Sequence, residues 1–153
     1  MTSPVIFTDL DGTLLDHASY EWAEAKPALD LCKARRVPVV LVSSKTRSEM
    51  NPLRQELGLT APFISENGGG IYFPKEGKIE PPPEALLDQD LWKWSLGTEY
   101  THLIRSLREI REELHLTIRG FSDMTREEIA ALTGLAMEKS RLAAMREYDE
   151  PFI

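Results

Sequence analysis

The chain has 153 residues, 42% of them hydrophobic, and a formal net charge of −7 at pH 7. That length suffices for a buried core, the hydrophobic share excludes wholesale disorder, and the acidic balance argues against nucleic acid, which is bound through basic surface. No apolar run approaches a membrane span, no signal-peptide pattern opens the chain, and the single Cys32 excludes an internal disulfide, so the expectation is a soluble cytoplasmic protein without nucleic-acid or membrane partners.

Val5–Thr8 predicts a buried strand, followed at once by Asp9, Asp11, Gly12 and Thr13. Residues two apart in a strand share a face. If the strand persists through Asp11, both carboxylates point into one space at its carboxyl end, where open α/β sheets bind ligands. Two carboxylates held together repel unless a cation lies between them, and hard oxygen ligands suit Mg²⁺. A metal-held carboxylate is also a nucleophile toward phosphorus. The same residues equally fit a strand-ending turn. A calcium loop fails on spacing, because Gly12 would be fourth rather than sixth and Tyr20 would occupy the twelfth position.

A helix is predicted over Ala25–Arg35, with Pro27 in its first turn and Cys32 as buried filler beside Ala28 and Leu29. Val37–Val42 is a continuous apolar strand of the kind buried in parallel sheets. Thr46 and Glu49 have capping-box spacing for a helix that Gly58 stops. Phe63–Ser65 is a third strand, and Glu66–Gly70 turns into Ile71–Pro74. Strand, helix, strand, helix, strand predicts a parallel, doubly wound sheet.

Gly77 and Pro81–Pro83 mark a linker. Beyond it, Tyr100–Leu114 is an amphipathic helix with Leu103, Leu107, Ile110 and Leu114 on one stripe. Leu116–Phe121 predicts a strand, Thr125 with Glu128 caps a helix ending at Gly134, and Met137–Met145 is a further helix. Glu147–Ile153 looks like the opening of a strand. The expected division is 1–80 and 81–153.

Ser43 stands one residue past the second strand, on the edge shared with Asp9 and Asp11. A hydroxyl there can bond a phosphoryl oxygen, and Lys45 adds a cation; alternatively, Ser43–Thr46 merely caps a helix. A Walker-type loop is excluded, since no upstream glycine frame precedes Lys45. The glycines after Glu66 and Asn67 either make a hairpin turn or let backbone amides approach a ligand whose hydroxyls Glu66 and Asn67 bind. A dinucleotide fingerprint fails because Phe73 takes the last glycine position. His17, His102 and His115 lack ligand spacing. Trp92 and Trp94 serve as core or as a sugar-stacking platform. The charges of Arg146–Glu150 also fit a solvated helix end.

Val5–Leu15 resembles the first motif of the haloacid dehalogenase-type phosphatases. With Ser43–Arg47, Glu66–Gly69, Gly120–Thr125 and Arg146–Glu150, the chain resembles the mannosyl-3-phosphoglycerate phosphatase family of that superfamily along nearly its whole length. The resemblance implies a Mg²⁺-dependent phosphomonoesterase working through an aspartyl-phosphate on Asp9, with Asp11 as acid and base and a small-molecule sugar phosphate as substrate. Asp9 and Asp11 would hold the metal, Ser43 and Lys45 the phosphate, and Glu66, Asn67, Gly68 and Arg146, with Lys45, the rest of the substrate. It also implies a truncated Rossmann-like parallel sheet followed by part of a small α/β cap. The chain would end inside that cap, without the family's third-motif lysine and fourth-motif acids. Lys93 and Lys139 fall in cap-like helices and do not replace the lysine, and Gly120–Asp123 resembles the fourth motif only superficially. Val5–Thr8 would then be a central strand with one edge unpaired, inviting self-association. The alternatives are another capped sugar phosphatase, of the sucrose- or trehalose-phosphate type, and an inactive remnant that binds a sugar phosphate or a partner chain.

Overall fold

The computed structural model describes residues 4–17 and 19–153. Among them, six strands form one sheet in the order β1-β2-β3-β4-β6-β5. These are β1 (Ile6–Thr8), β2 (Val39–Val42), β3 (Phe63–Ser65), β4 (Gly70–Pro74), β5 (Leu86–Asp88) and β6 (Leu91–Ser95). The fold is α/β, and β1, β2 and β3 pair in parallel as the sequence predicts. β4 then returns antiparallel on β3, and β6 and β5 extend the sheet antiparallel beyond it. The sheet does not break at residue 80: β5 and β6 lie past the expected division, and Lys93 sits on β6 rather than on a helix.

β1 and β2 are joined by α1 (Lys26–Ala34), which carries Pro27 in its first turn. β2 and β3 are joined by α2 (Arg47–Glu56), where Thr46 and Glu49 form the expected capping box. Right-handed crossovers that step the same way along a sheet put both helices on one face. Accordingly Ala25 and Leu29 by the first helix, and Leu53 and Leu57 by the second, pack on one cluster containing Leu10, Leu41, Met50, Phe63 and Tyr72. Phe63 and Tyr72 stack at 5.0 Å between centroids. The reversal that would make the sheet doubly wound is not found among the described residues.

β1 corrects one expectation. It is not buried but forms the sheet's edge, and Phe7 is 64% exposed. Its apolar sequence is that of a strand covered on both faces, yet no described strand pairs with its outer side.

The helical remainder contains α3 (Tyr100–Glu113), α4 (Arg126–Thr133) and α5 (Met137–Ala143). Thr125 caps α4 with Glu128, and Gly134 ends it at φ 72°, a conformation glycine adopts without strain. The two strands expected at Leu116–Phe121 and Glu147–Ile153 do not form. Those segments meet only at an antiparallel bridge between Gly120 and Phe152, with reciprocal bonds between Arg119 and Ile153. Two short stretches with no third strand beside them cannot build a ladder. Among the described residues no helix is long and apolar enough to cross a membrane.

Candidate active site

β1 stops at Thr8, so Asp9 and Asp11 are presented by a turn and not by the strand itself. Gly12 N donates to Leu15 O, and Leu10 O accepts from both Thr13 N and Leu15 N. The closure needs the φ of +71° at Gly12. Alternation nevertheless survives: Leu10 is fully buried, while Asp9 and Asp11 on either side of it are exposed. Both carboxylates are therefore open to solvent at the carboxyl end of β1.

The parallel pairing of β1 with β2 brings both carboxyl ends to one edge. There Lys45 Nζ lies 2.9 Å from Asp11 Oδ2. Ser43 is buried, with its N donating to Ile64 O and its Oγ accepting from Lys45 N at 3.2 Å. The Asp9 side chain makes no hydrogen bond or ion pair with another described residue and is open to solvent.

The loop after β3 fixes this edge from beneath. Glu66 N donates to Lys45 O, and Asn67 N donates to Ser43 O. The loop is tightly wound, with Glu66 at φ 49°, Asn67 at 56° and Gly68 at 98°. Glu66 has partners within the protein. It is only 2% exposed, and its carboxylate accepts from the backbone N–H groups of Glu147, Tyr148 and Asp149 at 3.1 Å or less. Those bonds tie the last segment to the loop after β3. Burial pushes the Glu66 carboxyl above its ordinary range, and the amides of Tyr148 and Glu147 pull it partly back.

Arg146 is likewise committed to the protein. Its Nε donates to Ala143 O, and its Nη1 donates to Ser44 O and to Asp149 Oδ1, each within 2.9 Å. Burial raises the Asp149 carboxyl and Arg146 opposes the rise. Asn67 Nδ2 reaches Asp149 at 3.5 Å. Gly68 has open space where a side chain would stand. The structure therefore gathers Asp9, Asp11, Ser43 and Lys45 at one mouth, with Asn67 and Gly68 beside it, and uses Glu66 and Arg146 to tie residues 143–149 to that edge.

A cluster beneath the site went unseen in the sequence. Glu147 accepts from Tyr72 Oη at 3.1 Å and pairs with Arg47 at 3.0 Å and Lys93 at 3.1 Å. Arg47 also pairs with Asp88 at 2.6 Å and lies over the Tyr72 ring. Burial works against charge on Arg47 and Lys93, but Glu147 with Asp88 raises both above their usual values. Two acids and two cations cancel, so the cluster costs little in net charge while locking β4, β5, β6, α2 and the last segment together. Arg47 and Glu147 lie within segments already singled out, but no spacing in the sequence shows that they meet.

Among the described residues, no group of three or more acids, histidines or cysteines is placed to hold a metal. Mg²⁺ commonly keeps several waters and takes one or two carboxylates together with substrate phosphate oxygens. Asp9 and Asp11, both exposed at the end of β1, fit that reduced donor set by type.

Residues 6–85 match the haloacid dehalogenase-like hydrolase family, and the chain belongs to it. It is 41% identical over 148 residues to a glucosyl-3-phosphoglycerate/mannosyl-3-phosphoglycerate phosphatase of Methanococcoides burtonii. It is 40% identical over 151 residues to a protein of the same name from Persephonella marina. Each match takes in 97% of this chain and 54% of the relative, so the chain spans about half the length of the curated relatives it matches. Among solved structures, one from Thermoplasma acidophilum covers 99% of this chain and 51% of its own at a TM-score of 0.63 and 16% identity. One from Thermotoga maritima covers 95% and 54% at 0.57 and 18%. At such identities these show the fold.

Proposed function

We propose that this haloacid dehalogenase-like hydrolase carries the nucleophilic half of a Mg²⁺-dependent phosphomonoesterase that acts on a sugar-linked 3-phosphoglycerate. The observation that supports the reading is the open edge at the ends of β1 and β2, where Asp9 and Asp11 are both exposed and Lys45 bonds Asp11. The names of the relatives from Methanococcoides burtonii and Persephonella marina supply the substrate class.

In this reading an Asp9 oxygen attacks phosphorus and the ester P–O bond breaks. The leaving oxygen takes a proton from Asp11. A water that gives its proton back to Asp11 then attacks the aspartyl-phosphate, releasing inorganic phosphate and restoring Asp9. Ser43 and Lys45 hold the phosphoryl oxygens, and Lys45 has two anions to serve once phosphate arrives. Asp9 and Asp11 would hold Mg²⁺, which supplies charge neutralisation for the phosphoryl group. Asn67 and Gly68 border the substrate side. Residues 1–80 supply the N-terminal part of the core, and residues 81–153 part of an α/β cap.

The test is turnover of mannosyl- and glucosyl-3-phosphoglycerate with Mg²⁺ in an assembly that supplies the third and fourth motifs beside this chain, against sucrose phosphate as the neutral-sugar control. D9N keeps shape and removes the attacking anion, and it is expected to leave under a few per cent of wild-type turnover. Equal efficiency on sucrose phosphate would transfer the reading to another class of sugar phosphatase. Tight binding of the substrate without turnover would mark a binding protein.

A further inference from the structure

A cavity of about 530 Å³ opens beside the Asp9–Asp11 mouth, between the loop after β1, α2 and α5. Its wall is apolar, with Trp22, Leu53, Leu135 and Leu142 among the lining residues. Two cations converge on it. Lys45 Nζ, which also bonds Asp11, stands 5.7 Å from the centre of the Tyr20 ring, and Lys139 Nζ stands 5.2 Å from that same ring. The two ammonium groups therefore lie no farther apart than those distances combined, one facing the catalytic mouth and one facing the cavity.

The acids of the cavity do not neutralise Lys139. Glu49 is committed to Thr46 N and Glu56 to Trp22 Nε1, while Lys26 is paired with Asp30. Lys139 itself has no ion pair among the described residues. Glu21 accepts no hydrogen bond on its carboxylate from the described residues, which leaves it able to accept from hydroxyl groups. Tyr20 holds a φ of +58° although it is not glycine, a costly conformation of the sort that persists at functional sites when the surroundings impose it. The ring of Tyr20 is thus shared by the two lysines.

We infer that this cavity is the leaving-group subsite of the proposed phosphatase, taking a hydroxylated carboxylic acid whose carboxylate pairs with Lys139 while its phosphate lies at Lys45. The inference rests on the proposed function and adds the residue that sets specificity. An apolar wall with two convergent cations and one free acceptor suits a polyhydroxy acid; a neutral leaving group would leave Lys139 without an anion. Lys139 touches the departing group and not the reacting atoms, so it should govern selectivity and not phosphate capture.

The test is calorimetric binding to the chain as it stands, with 3-phosphoglycerate, glycerol 3-phosphate and inorganic phosphate as probes. The first two differ in the carboxylate. Wild type should favour 3-phosphoglycerate, and K139Q should weaken it roughly 3–10-fold while glycerol 3-phosphate and inorganic phosphate move less than twofold. K139R should restore the preference, and salt should erode it. Lys139 is exposed, so neither substitution threatens folding. An unchanged preference in K139Q, or equal weakening of all three probes, overturns the subsite while the proposed function stands. Failure of inorganic phosphate to bind wild type overturns both.

Discussion

Replacing Glu66 by Ala removes the acceptor of three backbone N–H groups in a side chain that is 2% exposed. Each buried donor left without a partner costs about 1–3 kcal/mol. Water entering the vacated space recovers part of that, so the expected loss is about 3–5 kcal/mol, a large share of the 5–15 kcal/mol that holds a typical domain together. The loss should be local first. Residues 147–149 carry Glu147, the centre of the Arg47 and Lys93 pairs, and Tyr148, which is packed on Gly69. E66Q keeps one accepting oxygen and should lose about half as much. Urea unfolding gives the free energy, and hydrogen exchange reads the amides of 147, 148 and 149 directly. Those amides should lose protection in E66A under conditions where the α3 amides keep theirs. A loss below about 1 kcal/mol with protection unchanged at all three would refute the reasoning that the carboxylate secures this segment.

Because the folded Glu66 carboxyl is raised above its ordinary 4.5, the native state holds its proton more tightly than the unfolded chain. Its contribution is full below that ordinary value and falls as pH rises through the raised one, so the stability gap between wild type and E66Q should narrow across that interval in parallel urea titrations. G69A would put a methyl group into the Tyr148 side chain, and thermal unfolding should show a loss of at least about 2 kcal/mol; an unchanged midpoint would mean that Tyr148 does not press on this turn. F7K places a charge on the exposed edge strand, where Phe7 is 64% exposed. Light scattering should show less self-association than wild type, and identical profiles would exclude the β1 edge as the contact.

Much of this chain was legible in its sequence because the deciding forces were local. Thr46 with Glu49 and Thr125 with Glu128 cap their helices through bonds three residues apart, and the continuous apolar run of Val39–Val42 could only be a strand covered on both faces. The exposure of Asp9 and Asp11 on either side of buried Leu10 keeps the period-two pattern past the end of the strand. What needed the tertiary structure were choices between partners distant in sequence. Glu66 and Arg146 are expected at the substrate through the family resemblance. Their partners within the protein are legible only in the fold: Glu66 accepts from amides some 80 residues away, and Arg146 donates to Ser44 O, 102 residues away. β5 and β6 were missed because their stability comes from pairing onto β4, and the predicted strands near Gly120 and Phe152 failed because nothing pairs beside them. Capping and alternation are written within a few residues, whereas a strand's neighbours and a charge's partner are settled only when the chain closes on itself.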